Sequence, residues 1–315
     1  MKAWNRRSFL GSALASAALG GLTRRSALGL PAQARDYSKV AISVDMEGIS
    51  GIVSSRERLL DAPEFAAARK WLVSDVNAAV EGALDAGATR ITVHDTHGSE
   101  KRNIPYDELH PAANLIRGGN QFFWEYDALD SSYGAAFMIG MHAGPLVPAL
   151  ASHYFTSSIR GIRVNGRPIA ESHMTAALAA HFGIPTVLVT GDQFVCRMMR
   201  EWSGGEMVTV QIADSLARNS AITMPLEKTR KLIRAGAREA LGKAPETKPL
   251  AFDKPLRVEL DLAYPEEAKS IALMPTVEQT EDLSIAFTAK DALEAHKTLI
   301  AALLILTSPV NLARP

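Results

Sequence analysis

Short runs of apolar, β-branched residues alternate along this chain with longer stretches whose apolar positions recur at helical spacing. Val40 to Val44 reads as a strand buried on both faces of a sheet. From Ala62 to Ala86, Phe65, Leu72, Val76, Ala79, Val80 and Ala83 mark one helix face, and Gly87 ends it. Arg90 to Asp95 is a second strand, so strand, helix and strand form a βαβ unit with parallel pairing. Further strands are predicted at Asn114–Ile116, Ala135–Gly140, Ser157–Val164 and Thr186–Thr190, with a helix over Ile169–Phe182 opened by Pro168. Past Asp192 the pattern gives a strand at Val208–Ile212 and a basic-faced helix at Leu226–Leu241. Half-exposed strands follow at Leu256–Leu262 and Leu283–Thr288, then a long helix over Ala289–Leu306. The expected fold is α/β, a mostly parallel open sheet flanked by helices, with a smaller C-terminal α+β subdomain. Pro245, Pro249 and Pro255 suggest a hinge, dividing a catalytic domain at 35–245 from a subdomain at 246–315.

The first 34 residues are of another kind. Arg6-Arg7 precedes a small-residue apolar run from Gly11 to Leu22, and Ala32-Gln33-Ala34 offers a cleavage site, so a twin-arginine export signal and a periplasmic address are expected. The run falls short of the ~20 residues that span a bilayer, so no membrane contact is expected after processing. Of 315 residues, 47% are hydrophobic and 22% charged, the range of an ordinary globular chain. Lys and Arg total 34, as do Asp and Glu, and no basic block lies outside the N-terminus, which excludes a nucleic-acid partner. Cys196 is the only cysteine, so no intramolecular disulfide exists, and its apolar helical context predicts a buried, inert thiol.

The chemistry concentrates where predicted strands end. Asp45 and Glu47 share one face at the end of the first strand, and two carboxylates there need a cation, a proton or a basic neighbour. A solvated loop with a helix cap, an acid/base pair and a divalent-metal site are the three readings. His97, His142 and His153, three of eight histidines, lie just past apolar strands or in the loops that follow. Ligands at one edge of a parallel sheet favour the metal reading, since ligands gather beyond the carboxyl ends of such strands. Glu171 sits in the first turn of its helix, where a carboxylate also suits the helix dipole. His110, His173, His181 and His296 are expected to be structural.

V-D-M-E-G at 44–48, D-T-H at 95–97, G-M-H-A at 140–143, S-H at 152–153 and P-I-A-E at 168–171 together resemble the zinc-dependent D-aminopeptidase family. The resemblance implies a two-metal aminopeptidase that removes N-terminal D-amino acids such as D-alanine from short peptides. It implies two zinc ions per subunit, bridged by Asp45, with Glu47 and His142 completing one and His97 and Glu171 the other. His153 takes the family's catalytic position, as nucleophile or as general base. A homo-oligomer, a decameric ring enclosing the sites, is implied too. The chain departs from the family pattern beside two site residues, with Met141 before His142 and Tyr154 after His153. A two-metal amidohydrolase or esterase on a non-peptide substrate, and an inactive periplasmic peptide-binding protein, are the alternatives.

Overall fold

Strand β1 (Lys39–Val44) lies inside a sheet in the computed structural model, which describes residues 35–98, 100–119 and 129–308. The export signal expected over 1–34 lies outside the described residues. The chain continues through α1 (Phe65–Asp85), β2 (Arg90–Asp95), β3 (Ala113–Ile116), β4 (Ala135–Met141), β5 (Ile159–Val164) and β6 (Arg167–Pro168). Next come α2 (Glu171–His181), β7 (Thr186–Asp192), α3 (Gln193–Trp202), β8 (Val208–Ala217), β9 (Ser220–Thr223) and α4 (Leu226–Lys243). The last elements are β10 (Leu256–Leu262), α5 (Pro265–Ile271), β11 (Val277–Glu281), β12 (Ser284–Ala289) and α6 (Ala292–Leu306).

A seven-stranded sheet runs β3-β2-β1-β4-β7-β8-β9, parallel except for the β8–β9 hairpin. The two-residue alternation of each strand sorts its side chains between two cores. Val40, Ile42, Val44, Ile91, Val93, Phe137 and Ile139 face one core with α1 and α4, while Ala41 and Ala136 face another with α2 and α6. Burial on both faces is why β1, apart from Lys39 and Ser43, and β4 read as near-continuous apolar runs. The five-stranded antiparallel sheet β11-β12-β10-β5-β6 closes the second core. Its strand β10 pairs with both β12 and β5, so strands from either side of residue 245 share one sheet. Alternation along β10 buries Leu256, Val258, Leu260 and Leu262 and leaves Arg257, Glu259 and Asp261 half-exposed.

Several element ends differ from the sequence pattern for local reasons. Helix α1 begins at Phe65 rather than Ala62, because a residue before a proline, here Pro63, is driven out of the helical region. Pro168 does not open α2; it lies in β6, an edge strand where a missing N–H costs nothing, and Ala170 caps the helix in an extended conformation. Strand β8 runs on past Ile212 to Ala217 because it folds back against β9. The apolar stripe of α6 faces its own core through Ala292, Ala295, Leu299, Ala302, Leu303 and Leu306. Cys196 is buried in α3, and burial pushes its thiol up to about 12, where it is unreactive.

Candidate metal centre

In the sheet register Val44, the last residue of β1, stands beside Asp95 in β2 and Ile139 in β4. Asp45, His97 and His142 therefore leave adjacent strands at one edge. Two backbone hydrogen bonds tie the turn after β1 to the end of β4: Asp45 N–H to Ile139 O at 2.9 Å and Gly48 N–H to Gly140 O at 2.8 Å. His97 is held from behind. The Asp95 carboxylate accepts from the Asn103 backbone N–H (2.6 Å) and from Asn103 Nδ2 (2.8 Å), and Asn103 Nδ2 also donates to His97 O at 2.8 Å.

The five candidate ligands and His153 come together. His97 Nδ1 lies 3.1 Å from Asp45 Oδ1 and 3.0 Å from Glu47 Oε2. His142 Nε2 lies 3.3 Å from Asp45 Oδ2 and 3.4 Å from Glu171 Oε1. The close contacts thus pair His97 with Asp45 and Glu47, and His142 with Asp45 and Glu171. One ligand atom each from Asp45, Glu47 and His142 also fall within 4.8 Å of one another, as do those of His142, His153 and Glu171. His153 stacks on His142, ring centroids 4.3 Å apart and 7° from parallel, and its Nε2 is 3.9 Å from both Glu47 Oε1 and Glu171 Oε1. A cavity of about 90 Å³ opens among these groups. Met141 lines it, whereas Tyr154 is wholly buried in the second core.

Hydrogen bonds to carbonyls fix two of the imidazoles, because a carbonyl only accepts. His142 Nδ1–H donates to Ala143 O at 2.9 Å and His153 Nδ1–H to Ala151 O at 2.8 Å. Each neutral ring then presents a lone pair at Nε2, toward the carboxylates. The loop carrying His153 takes left-handed backbone at Ala151 (φ 51°) and Phe155 (φ 53°), an unfavourable conformation for side chains with a Cβ. Neighbouring contacts hold it there. Ala151 N–H donates to Arg218 O (2.9 Å), Leu150 N–H to Ser215 Oγ (2.9 Å), and Phe155 N–H to Glu171 Oε1 (2.7 Å).

Charge in the cluster follows from burial set against proximity. Burial opposes ionisation of Glu47, but His97 and the Arg58 guanidinium outweigh it and hold the carboxyl well below its usual range. Glu171 is likewise lowered against burial, chiefly by His142. Burial also opposes the charge on His97 and His142, yet Glu47 and Asp45 lift His97 to about 10, and Glu171 and Asp45 lift His142 well above the ordinary value. His153 moves the other way: burial, then the neighbouring His142 charge, lower it despite Glu47 and Glu171. A neutral His153 beside ionised carboxylates is poised to accept a proton.

Two buried acceptors test whether these residues fit divalent cations. Glu47 Oε2 and His142 Nε2 lie out of contact with solvent and make no hydrogen bond among the described residues. Orphaned oxygen and nitrogen lone pairs converging with two further carboxylates form a hard-to-borderline donor set, which suits zinc, manganese or cobalt. The fit is good.

Some contributing residues carried no readable signal, and one did. Arg58, which bonds Glu47 Oε1, sits in the polar run Ser54 to Arg58 that reads as a solvated turn. Asp75 interrupts the apolar face of α1 between Leu72 and Val76, and that break in periodicity is legible. Its carboxylate accepts from the Ser50 N–H (2.8 Å) and hydroxyl (2.9 Å), anchoring the turn after Glu47. Asp192, at the same sheet edge, instead caps α3 through the N–H groups of Phe194 and Val195, both at 3.0 Å. His173, buried and pushed down to about 4, accepts the Ala170 N–H and is structural.

Burial raises the Asp75 carboxyl to about 6, against its Ser50 hydrogen bonds and the Arg230 charge. Between its unfolded value near 3.8 and about 6 the folded state binds more protons than the unfolded one, so stability rises as pH falls through that window. From pH 7 to pH 5 the wild type should gain about 1 kcal/mol relative to Asp75→Asn. Urea unfolding of both proteins at the two pH values checks it, and an identical pH response would refute the assignment.

Residues 38–301 match the family model of peptidase M55, described as D-aminopeptidase. A D-aminopeptidase of Bacillus subtilis (strain 168) is 28% identical over 264 residues, covering 83% of this chain and 95% of that protein. A solved structure of the Zn-dependent D-aminopeptidase DppA from Bacillus subtilis, described as a self-compartmentalizing protease, superposes with a TM-score of 0.82 at 26% identity, covering 86% of this chain and 99% of that one.

Proposed function

We propose, from the premise that the chain belongs to the D-aminopeptidase family (peptidase M55), that it removes N-terminal D-residues such as D-alanine from short peptides, using two zinc ions. The observation that carries this reading is the convergence of Asp45, Glu47, His97, His142 and Glu171 around orphaned, buried Glu47 Oε2 and His142 Nε2. Asp45 would be shared between the ions, since its two oxygens face different imidazoles. Zinc held there would supply Lewis acidity toward the scissile carbonyl and a water acidic enough to ionise near neutral pH. His97 and His142 must then act as neutral ligands and release the protons that their carboxylate neighbours otherwise hold.

The chain's own groups divide the remaining work. Asp45, Glu47 and Glu171 would offset most of the positive charge that two zinc ions bring into this buried site. His153 keeps its Nε2 lone pair toward the cavity because Ala151 O takes the proton on Nδ1. Acting as a base on water or as a nucleophile, His153 needs that lone pair, and its lowered pKa keeps it available at neutral pH. Stacking against His142 fixes the ring plane.

A self-compartmentalised ring of ten chains, as a homo-oligomer, and a periplasmic address are the proposed assembly and location. The first extends the description of the solved relative; the second rests on the twin-arginine pattern before Arg35. Cell-wall turnover would supply D-alanyl peptides in that compartment. The test is a panel of matched D- and L-alanyl peptides and simple esters, run on zinc-loaded and chelator-treated protein. D-peptides should be cleaved on the order of a hundredfold faster than L-peptides, with activity lost on chelation and restored by zinc. Esters turned over in preference to peptides, or activity indifferent to chelation, would refute the reading.

A further inference from the structure

We infer that the groove leading away from His153 receives the C-terminal carboxylate of a short peptide, with Arg160 and Arg218 as its binding residues; the inference rests on the peptidase reading above. Two spaces meet at His153, which lines both. One is the cavity of about 90 Å³, bordered by Asp45, Glu47 and Glu171. The other is a groove of about 500 Å³ whose charged side chains beyond His153 are Arg160 and Arg218, with no carboxylate in its lining among the described residues. The groove therefore carries a positive field beside the histidine. A short peptide is a zwitterion, with an ammonium at the residue to be released and a carboxylate at the other end. The residue to be released must lie at the ligand cluster for its peptide bond to react, so the carboxylate at the other end falls toward the arginine-lined groove beyond His153.

Neither arginine pairs with an acidic side chain among the described residues. Arg218 donates one guanidinium N–H to Ser152 O, which places it against the loop carrying His153. An extended chain advances about 3.5 Å per residue, so a carboxylate one or two residues past the scissile bond is still inside the groove. Longer peptides would carry it out the far side. Leu146 (85% exposed) and Leu216 (65% exposed) provide apolar walls for small side chains between the two charges.

The experiment compares a D-alanyl dipeptide with its C-terminal amide, using the zinc-loaded protein. Wild type should favour the free acid about five- to tenfold in kcat/KM, mainly through KM, with the preference shrinking as salt is raised. Arg160→Gln should bring the ratio close to one, and Arg160→Glu should favour the amide. Equal cleavage of acid and amide by wild type, or an undiminished acid preference in either variant, overturns the inference and leaves the peptidase reading standing. Cleavage of neither compound overturns both.

Discussion

Asp45→Ala should cost on the order of a thousandfold or more in kcat/KM and release metal that wild type retains on dialysis. Asp45 is the carboxylate in contact with both imidazoles, His97 Nδ1 at 3.1 Å and His142 Nε2 at 3.3 Å, so its removal opens both halves of the cluster together. His153→Ala separates the two roles, since it should lose activity while keeping the metal. Elemental analysis and peptide kinetics on the two variants, with a melting curve to establish folding, check the pair. Full peptidase activity in metal-repleted Asp45→Ala would falsify the two-metal proposal.

Gly48→Ala should destabilise the protein by about 3–5 kcal/mol and strip the site of its metal. A Cβ at position 48 would lie 1.9 Å from Met141 O, 2.8 Å from Met141 C and 3.0 Å from Gly140 C. All three are backbone atoms of the β4 end, so no side chain can swing aside. Relief requires the Glu47 turn and the His142 strand end to part, breaking the Gly48 N–H bond to Gly140 O on the way. Gly87→Ala is the control. Gly87 has a positive φ of 96° with nothing within 4 Å of its Cβ position, so only the conformational penalty of about 1–2 kcal/mol applies. Urea midpoints and metal content of the two variants distinguish close approach from backbone strain, and wild-type stability in Gly48→Ala would refute the packing argument.

The amino-acid sequence alone determined most of the strands, because an apolar run or alternation repeats within two to four positions; the mostly exposed edge strands β6, β9 and β11 carry no such pattern and were not legible in it. Val40 to Val44, apart from Ser43, and Ala135 to Ile139 throughout are apolar, and a parallel sheet covered on both faces is the structure that accommodates them. Parallel pairing then directs Asp45, Glu47, His97 and His142 to one edge, so most of the candidate site was readable before any contact was known. Glu171 as a ligand and His153 as the catalytic group depended on their place in a series of motifs, since a carboxylate in a helix's first turn and a histidine in a loop are each ordinary by themselves. Tertiary structure alone decided what those side chains touch. Arg58 reaches Glu47 from a turn that looks solvated, Ser215 in β8 and Arg218 just after it brace the His153 loop, and β5 joins a sheet whose other long strands come from after residue 245. The hydrogen-bonded partners are 11, 65 and 66 positions apart in the chain, and no periodicity records which polar group will satisfy a buried one. That choice is made by desolvation, which leaves each buried donor or acceptor only the neighbours that the packed fold has brought within reach.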